Sequence, residues 1–209
     1  YIRMKRELNH HYIGESYGGN QDWFRTLWMR IGGCGAETAC ESSLYFAREL
    51  GFTKLYPFNS DDVKREEYVD FAHMMEDYLW PRLTGINKLS IYVNGYVKYL
   101  RDAGEYRVDV GEFSGDHTYE EAAEKVKEQI DSGLPIPFLT LMHKDTRFSD
   151  YVWHWYLVNG YDETQEGLKV KAVTYSGYKW LDLKRLWNTG CKPTGGMIIY
   201  TVHDKIPEL

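Results

Sequence analysis

The chain has 209 residues, a formal net charge of −6 and a pI near 5.7. That acidic balance, with no basic run interleaved with aromatics, excludes a general affinity for nucleic-acid phosphates. No stretch approaches the roughly 18 uninterrupted apolar residues that cross a bilayer, so neither nucleic acid nor membrane is expected as a partner.

Residues 1–33 read as irregular, punctuated by Gly14, Gly18, Gly19, Gly32 and Gly33 around Trp23, Phe24 and Trp28. From Cys34 the residues Ala36, Ala39, Cys40, Ser43, Leu44 and Ala47 recur at three- and four-residue steps, and Gly51 follows as a stop. This predicts a buried helix whose small-residue face admits close neighbours. A second helix is expected from a Ser60 or Asp61 cap through Phe71, Met75 and Leu79 to Pro81, and a third over Leu89 to Leu100. Tyr106, Val108 and Val110 alternate as a strand. Thr118 and Glu121 form the capping-box pair of a fourth helix that closes at Gly133.

Beyond that helix the pattern changes. Ile136 to Met142, Val152 to Tyr161, Leu168 to Tyr175 and Met197 to His203 are rich in Val, Ile, Tyr and Trp and read as strands, with a short helical piece at Asp182 to Trp187. The expectation is one α+β domain over 1–209. Residues 34–133 are its mainly helical half and 134–209 its mainly β half, a helical layer packed on an antiparallel sheet. The 18 Tyr and 7 Trp supply a packed interior without disulfides. Cys34, Cys40 and Cys191 are odd in number and lack framework spacing, which predicts at least one free thiol and a reducing, cytoplasmic setting.

Cys34 stands in the run Gly32-Gly33-Cys34-Gly35-Ala36, at the start of the first long helix. A thiol there faces unpaired backbone N–H groups and the positive end of the helix dipole, which favour the nucleophilic thiolate. Gly33 and Gly35 are expected to leave room for a substrate carbonyl. His154, in Trp153-His154-Trp155-Tyr156, shares a strand face with Tyr156 and Val158. An imidazole in so apolar a strand needs a partner. Paired with Cys34, it can take the thiol proton and return it to a leaving group.

The C-G-x-x-x-A opening at Cys34, the H-W-x-x-x-x-G-Y-D run at His154 and the segment Asn20-Gln21-Asp22-Trp23-Phe24 together resemble C39-like members of the papain-like cysteine peptidase superfamily. The resemblance spans roughly Asn20 to Trp187 and rests on these three short motifs. It implies a papain-like fold and a Cys34–His154 dyad, with Gln21 donating its side-chain N–H to an oxyanion. Where such sites orient the histidine with Asn or Asp on the following strand, this chain reads Val173-Thr174-Tyr175-Ser176-Gly177. Thr174 or Ser176 is then the candidate orienter. Asn159, Asp162 and Asp182 are substitutes only if loops bring them close, and Asp162 is too far along the strand at about 3.3 Å per residue.

The activity so implied is a peptidase or amidase that passes through an acyl-enzyme on a peptide or amide substrate. Two alternatives use the same cleft: a peptide-binding domain without turnover, and a peptide-crosslinking acyltransferase. No cofactor is expected. No metal is expected either, because His10 and His11 are adjacent rather than at ligand spacing and the other histidines are scattered. Cys40 is assigned to the core and Cys191 to a loop. The acidic stretch Glu66, Glu67, Asp70, Glu76 and Asp77 reads as a solvated helix face.

Overall fold

The computed structural model describes residues 2–82 and 85–204; the outer bounds of the expected domain, residues 1 and 209, lie outside them. The N-terminal segment is more ordered than its composition suggests. It contains strand β1 (Met4–Glu7), a small hairpin of β2 (Tyr12–Ile13) and β3 (Ser16–Tyr17), a 3-10 turn at Gln21–Trp23 and helix α1 (Leu27–Gly32). All four residues of β1 are exposed, so no hydrophobic alternation announces it.

Helix α2 (Cys34–Glu49) follows α1 after the single residue Gly33. Fourteen of its sixteen residues, Cys34 through Ala47, are buried. Its small residues let tyrosines approach: Ser43 Oγ lies 2.8 Å from the Tyr96 hydroxyl, and the Tyr200 hydroxyl donates to Ser42 Oγ at 2.9 Å while meeting that of Tyr92 at 2.7 Å. Buried hydroxyls thus satisfy one another within the aromatic core.

Helix α3 (Arg65–Met75) is shorter than the sequence predicts. The Asn59 side chain accepts the Asp61 N–H at 2.9 Å, so Asn59-Ser60-Asp61 forms a local turn instead of a helix cap, and Tyr78 and Leu79 lie past the last turn. Helix α4 (Leu89–Ala103) ends as expected at Gly104, whose φ of 76° only glycine adopts without strain. Strand β4 (Val108–Ser114) precedes α5 (Tyr119–Asp131), which carries the predicted Thr118–Glu121 capping box.

The second half holds β5 (Ile136–Thr140), β6 (His154–Thr164), β7 (Gly167–Thr174), β8 (Gly177–Asp182), the short α6 (Leu183–Trp187) and β9 (Gly196–Val202). Strand β8 was not foreseen, because its turn lacks the expected glycine. Thr174 pairs with Gly177, so the two-residue loop is Tyr175-Ser176, with φ of 49° and 65°. Such turns ordinarily draw Asn or Gly.

Among the described residues one seven-stranded antiparallel sheet runs in the order β4-β9-β5-β6-β7-β8, with β1 added to β6. The class is α+β, with one correction to the expected two layers. Helices α2, α3 and α4 bury one face of the sheet around Trp155, Leu139 and Tyr200. On the opposite face α5 and α6 pack through Val126, Ile130, Leu183 and Trp187 onto Phe138, Tyr156 and Val158. Both sides of β5 and β6 are therefore covered, which is why Ile136 to Thr140 is apolar without a polar alternate face. No described helix is long and apolar enough to cross a membrane.

Candidate active site

Cys34 and His154 lie at the starts of two elements that meet, the first residue of α2 and the first of β6. With Gln21, Trp153, Thr174 and Tyr175 they line one cleft of about 670 Å³. Cys34 and His154 are both buried, each about 4% exposed.

Packing at this junction is tight. A Cβ on Gly33 would stand 2.3 Å from the Met29 carbonyl oxygen, so glycine is required there for the α1–α2 junction. A Cβ on Gly35 would meet Ile86 at 2.9 Å. These glycines therefore make room for the protein itself, not for substrate as the sequence suggested.

His154 is held from two sides. Its Nε2 lies 2.7 Å from Thr174 Oγ1, the last residue of β7. The Tyr175 ring stacks on the imidazole at 5.0 Å between centroids and 6° between planes. Trp153, just before it, has φ of 52°, so three non-glycine residues with left-handed backbone, Trp153, Tyr175 and Ser176, surround the histidine. Strain of this kind persists where the surrounding structure over-determines it.

Ser176 does something else. Its Oγ accepts from Asn20 Nδ2 at 3.0 Å, its N–H donates to the Gly19 carbonyl, and its own carbonyl accepts from Tyr17 N–H. It clips the N-terminal segment to the β7–β8 turn and so fixes the 3-10 turn that carries Gln21. The Gln21 amide donates from Nε2 to the Arg30 carbonyl at 2.8 Å, which leaves its second amide hydrogen uncommitted; its buried Oε1 has no partner.

The electrostatics oppose a preformed ion pair. Burial pushes the Cys34 thiol up to about 11, against the weaker pull of the Trp155, Gly35 and Cys34 backbone N–H groups, with the nearby Glu37 carboxyl raising it further. Burial drives His154 down to about 4. The helix-terminus effect expected to favour thiolate is present in the Cys34 and Gly35 N–H groups and is outweighed by desolvation. Both shifts favour the neutral thiol and the neutral imidazole. Glu37, buried one turn along α2, is itself raised well above the ordinary carboxylate range, burial first and the Glu41 charge second.

No protein-family model, curated protein or solved structure matches the chain. Its chemistry is therefore read from its own residues.

The substitutes for a histidine orienter are engaged elsewhere. Asp162 pairs with Arg3 at 2.6 and 3.0 Å, Asp182 caps α6 by accepting the Arg185 N–H, and buried Asn159 donates to the Tyr17 hydroxyl at 3.3 Å. Of Trp23, Trp28, Trp153 and Trp155, Trp153 lines the cleft, and Trp155 is buried beneath, donating to the Ile86 carbonyl. Cys40 is fully buried and Cys191 half-buried, in the core and loop positions assigned to them. Asp70 meets Arg25 at 2.8 Å and Glu76 meets His73 at 2.9 Å, so part of the acidic α3 surface is paired.

Sequence reasoning missed the convergence of His10, His11 and Glu41, whose ligand atoms lie within 4.8 Å of one another. Glu41 follows Cys34 by seven residues, two helical turns, and so lies on a similar side of α2. Adjacent histidines diverge in a strand, but the backbone at His10–His11 belongs to no regular element and brings the two rings to 4.3 Å.

Proposed function

We propose that the cleft is the active site of a thiol hydrolase, a peptidase or amidase of the papain-like, C39-like kind. The observation that carries the reading is that Cys34 and His154, distant in sequence, line one cleft with Gln21 while Thr174 holds the imidazole through Nε2. With Nε2 so engaged, Nδ1 is the nitrogen left to accept the Cys34 proton. Sγ attacks the substrate carbonyl as that proton moves, and the Cys34 backbone N–H and the free Gln21 amide hydrogen would receive the oxyanion. Collapse breaks the C–N bond, His154 returns the proton to the departing amine, and water attacking the thioester releases the acid and regenerates the thiol. Because thiol and imidazole rest neutral, proton transfer accompanies attack instead of preceding it.

The test is turnover of a mixed peptide pool read by mass spectrometry, with and without an added amine. New peptide termini that vanish in Cys34→Ala and in His154→Ala support the reading, and amine-capped products would assign acyl transfer in place of hydrolysis. Cleavage that survives Cys34→Ala rejects it. One observation favours a second reading: burial holds the thiol far from its reactive form, as in a cleft that binds peptides without turning them over. Saturable peptide binding with no new termini would select that reading.

A further inference from the structure

We propose that His10, His11 and Glu41 form a buried structural site for a divalent transition cation of the zinc class. The His10 and His11 side chains are 0% and 1% exposed, and that of Glu41 is 5%. All four imidazole nitrogens and Glu41 Oε2 are buried without a hydrogen-bond partner. His11 Nε2 is in salt-bridge contact with Glu41 Oε2, and His10 Nε2 lies 3.8 Å from Glu41 Oε1, so the three side chains converge on one point. Buried polar groups are ordinarily paired, and so many unpaired on three touching side chains call for an absent partner. A cation is a partner that two imidazole lone pairs and a carboxylate can share, and this donor set suits zinc.

The surroundings are those of a metal shell. Gly19 N–H donates to Glu41 Oε1 at 2.6 Å, which orients the carboxylate. Tyr17 stacks on His10 at 4.7 Å. A Cβ on Gly18 would stand 2.4 Å from Glu41 Oε1 and 2.7 Å from His10 Nε2, so glycine is what lets the chain pass this close to the donors. The Tyr68 hydroxyl, also buried without a partner and close against Gly19, is available to a fourth, metal-bound water. Lys171, the nearby cation, is partly neutralised by Glu7 at 2.9 Å.

So enclosed a cation has no path to substrate. It would tie the segment from His10 to Gln21 onto α2 and thereby hold Gln21 beside Cys34. The site stands independently of the proposed hydrolase activity.

The experiment strips the full chain with chelator, adds one equivalent of cobalt(II) and records the visible spectrum, then displaces cobalt with zinc and measures zinc retained after gel filtration. The expected result is one cation per chain, with ligand-field bands that zinc abolishes and a melting temperature that rises with zinc. Glu41→Gln and His11→Asn should each weaken binding by at least about 100-fold, while His143→Ala should bind as the parent does. Should either variant fail to fold, His10→Gln replaces it. No retained metal and no bands in the parent chain overturn the proposal, as do bands that persist unchanged in folded Glu41 and His11 variants.

Discussion

Thr174 Oγ1 stands 2.7 Å from Nε2 of His154, and this contact fixes which ring nitrogen remains for Cys34. A hydroxyl can orient a neutral imidazole, but it stabilises imidazolium less than a carboxylate would. Thr174→Val keeps the shape and removes the oxygen. It is expected to lower kcat roughly 10-fold with KM unchanged, consistent with the loss of one hydrogen bond, and Thr174→Ser should restore most of it. Equal kcat in all three proteins would remove Thr174 from the mechanism.

The buried thiol makes a kinetic prediction of its own. In a Cys191→Ser background, alkylation of Cys34 by iodoacetamide should accelerate with pH up to about 11 and show no plateau near neutrality. A rate already saturated below the ordinary thiol value of about 8.5 would establish a thiolate–imidazolium pair and contradict the neutral resting state.

His154 also ties stability to pH. Its folded value near 4 lies below the ordinary 6.5, so above about 6.5 both folded and unfolded chains carry it neutral and stability is intact. As pH falls from about 6.5 toward 4, the unfolded chain takes up a proton that the folded chain refuses, and stability drops by up to about 3 kcal/mol. Urea unfolding at pH 7.5 and 4.5 should show a smaller drop in His154→Gln than in the parent. The same drop in both proteins would place the acid sensitivity elsewhere.

At Gly33 the prediction is steric. Ala at this position brings Cβ to 2.3 Å from the Met29 carbonyl oxygen and 3.2 Å from the Phe24 ring. Gly33→Ala should destabilise the fold by about 1–3 kcal/mol, because the α1–α2 junction must shift. Gly177→Ala, with nothing within 4 Å of its Cβ, should be close to neutral in the same denaturation assay. Equal effects would show that the junction yields freely.

The strongly periodic parts of the chain were legible. Helix α2 with its small face, α4 ending at Gly104 and α5 with its capping box follow from local signals that tertiary packing reinforces. Cys34 and His154 are paired in the sequence through three short motifs that resemble C39-like peptidases, and both residues line one cleft. What escaped had no local signature. Strand β1 carries only exposed residues, β8 follows a turn made of Tyr and Ser, and α3 lost its expected cap to an Asn59 side-chain bond. The three-residue convergence at Glu41 depends on an irregular backbone stretch that no periodicity describes. Likewise the choice between Thr174 and Ser176 turned on the turn geometry, which sends one hydroxyl to the imidazole and the other to Asn20.

The clip between Asn20 and Ser176 spans 156 residues, and the pairing of Met4–Glu7 with Gly160–Glu163 likewise joins segments distant in sequence. Contacts of such long sequence separation form late, because the intervening loop must be closed before they contribute. On the ribosome, Gln21 and Cys34 emerge early and wait for β7 and its turn before the cleft exists. The cleft shared by Cys34 and His154 is therefore assembled late, and a chain that ends before β6 presents a solvated thiol without its imidazole.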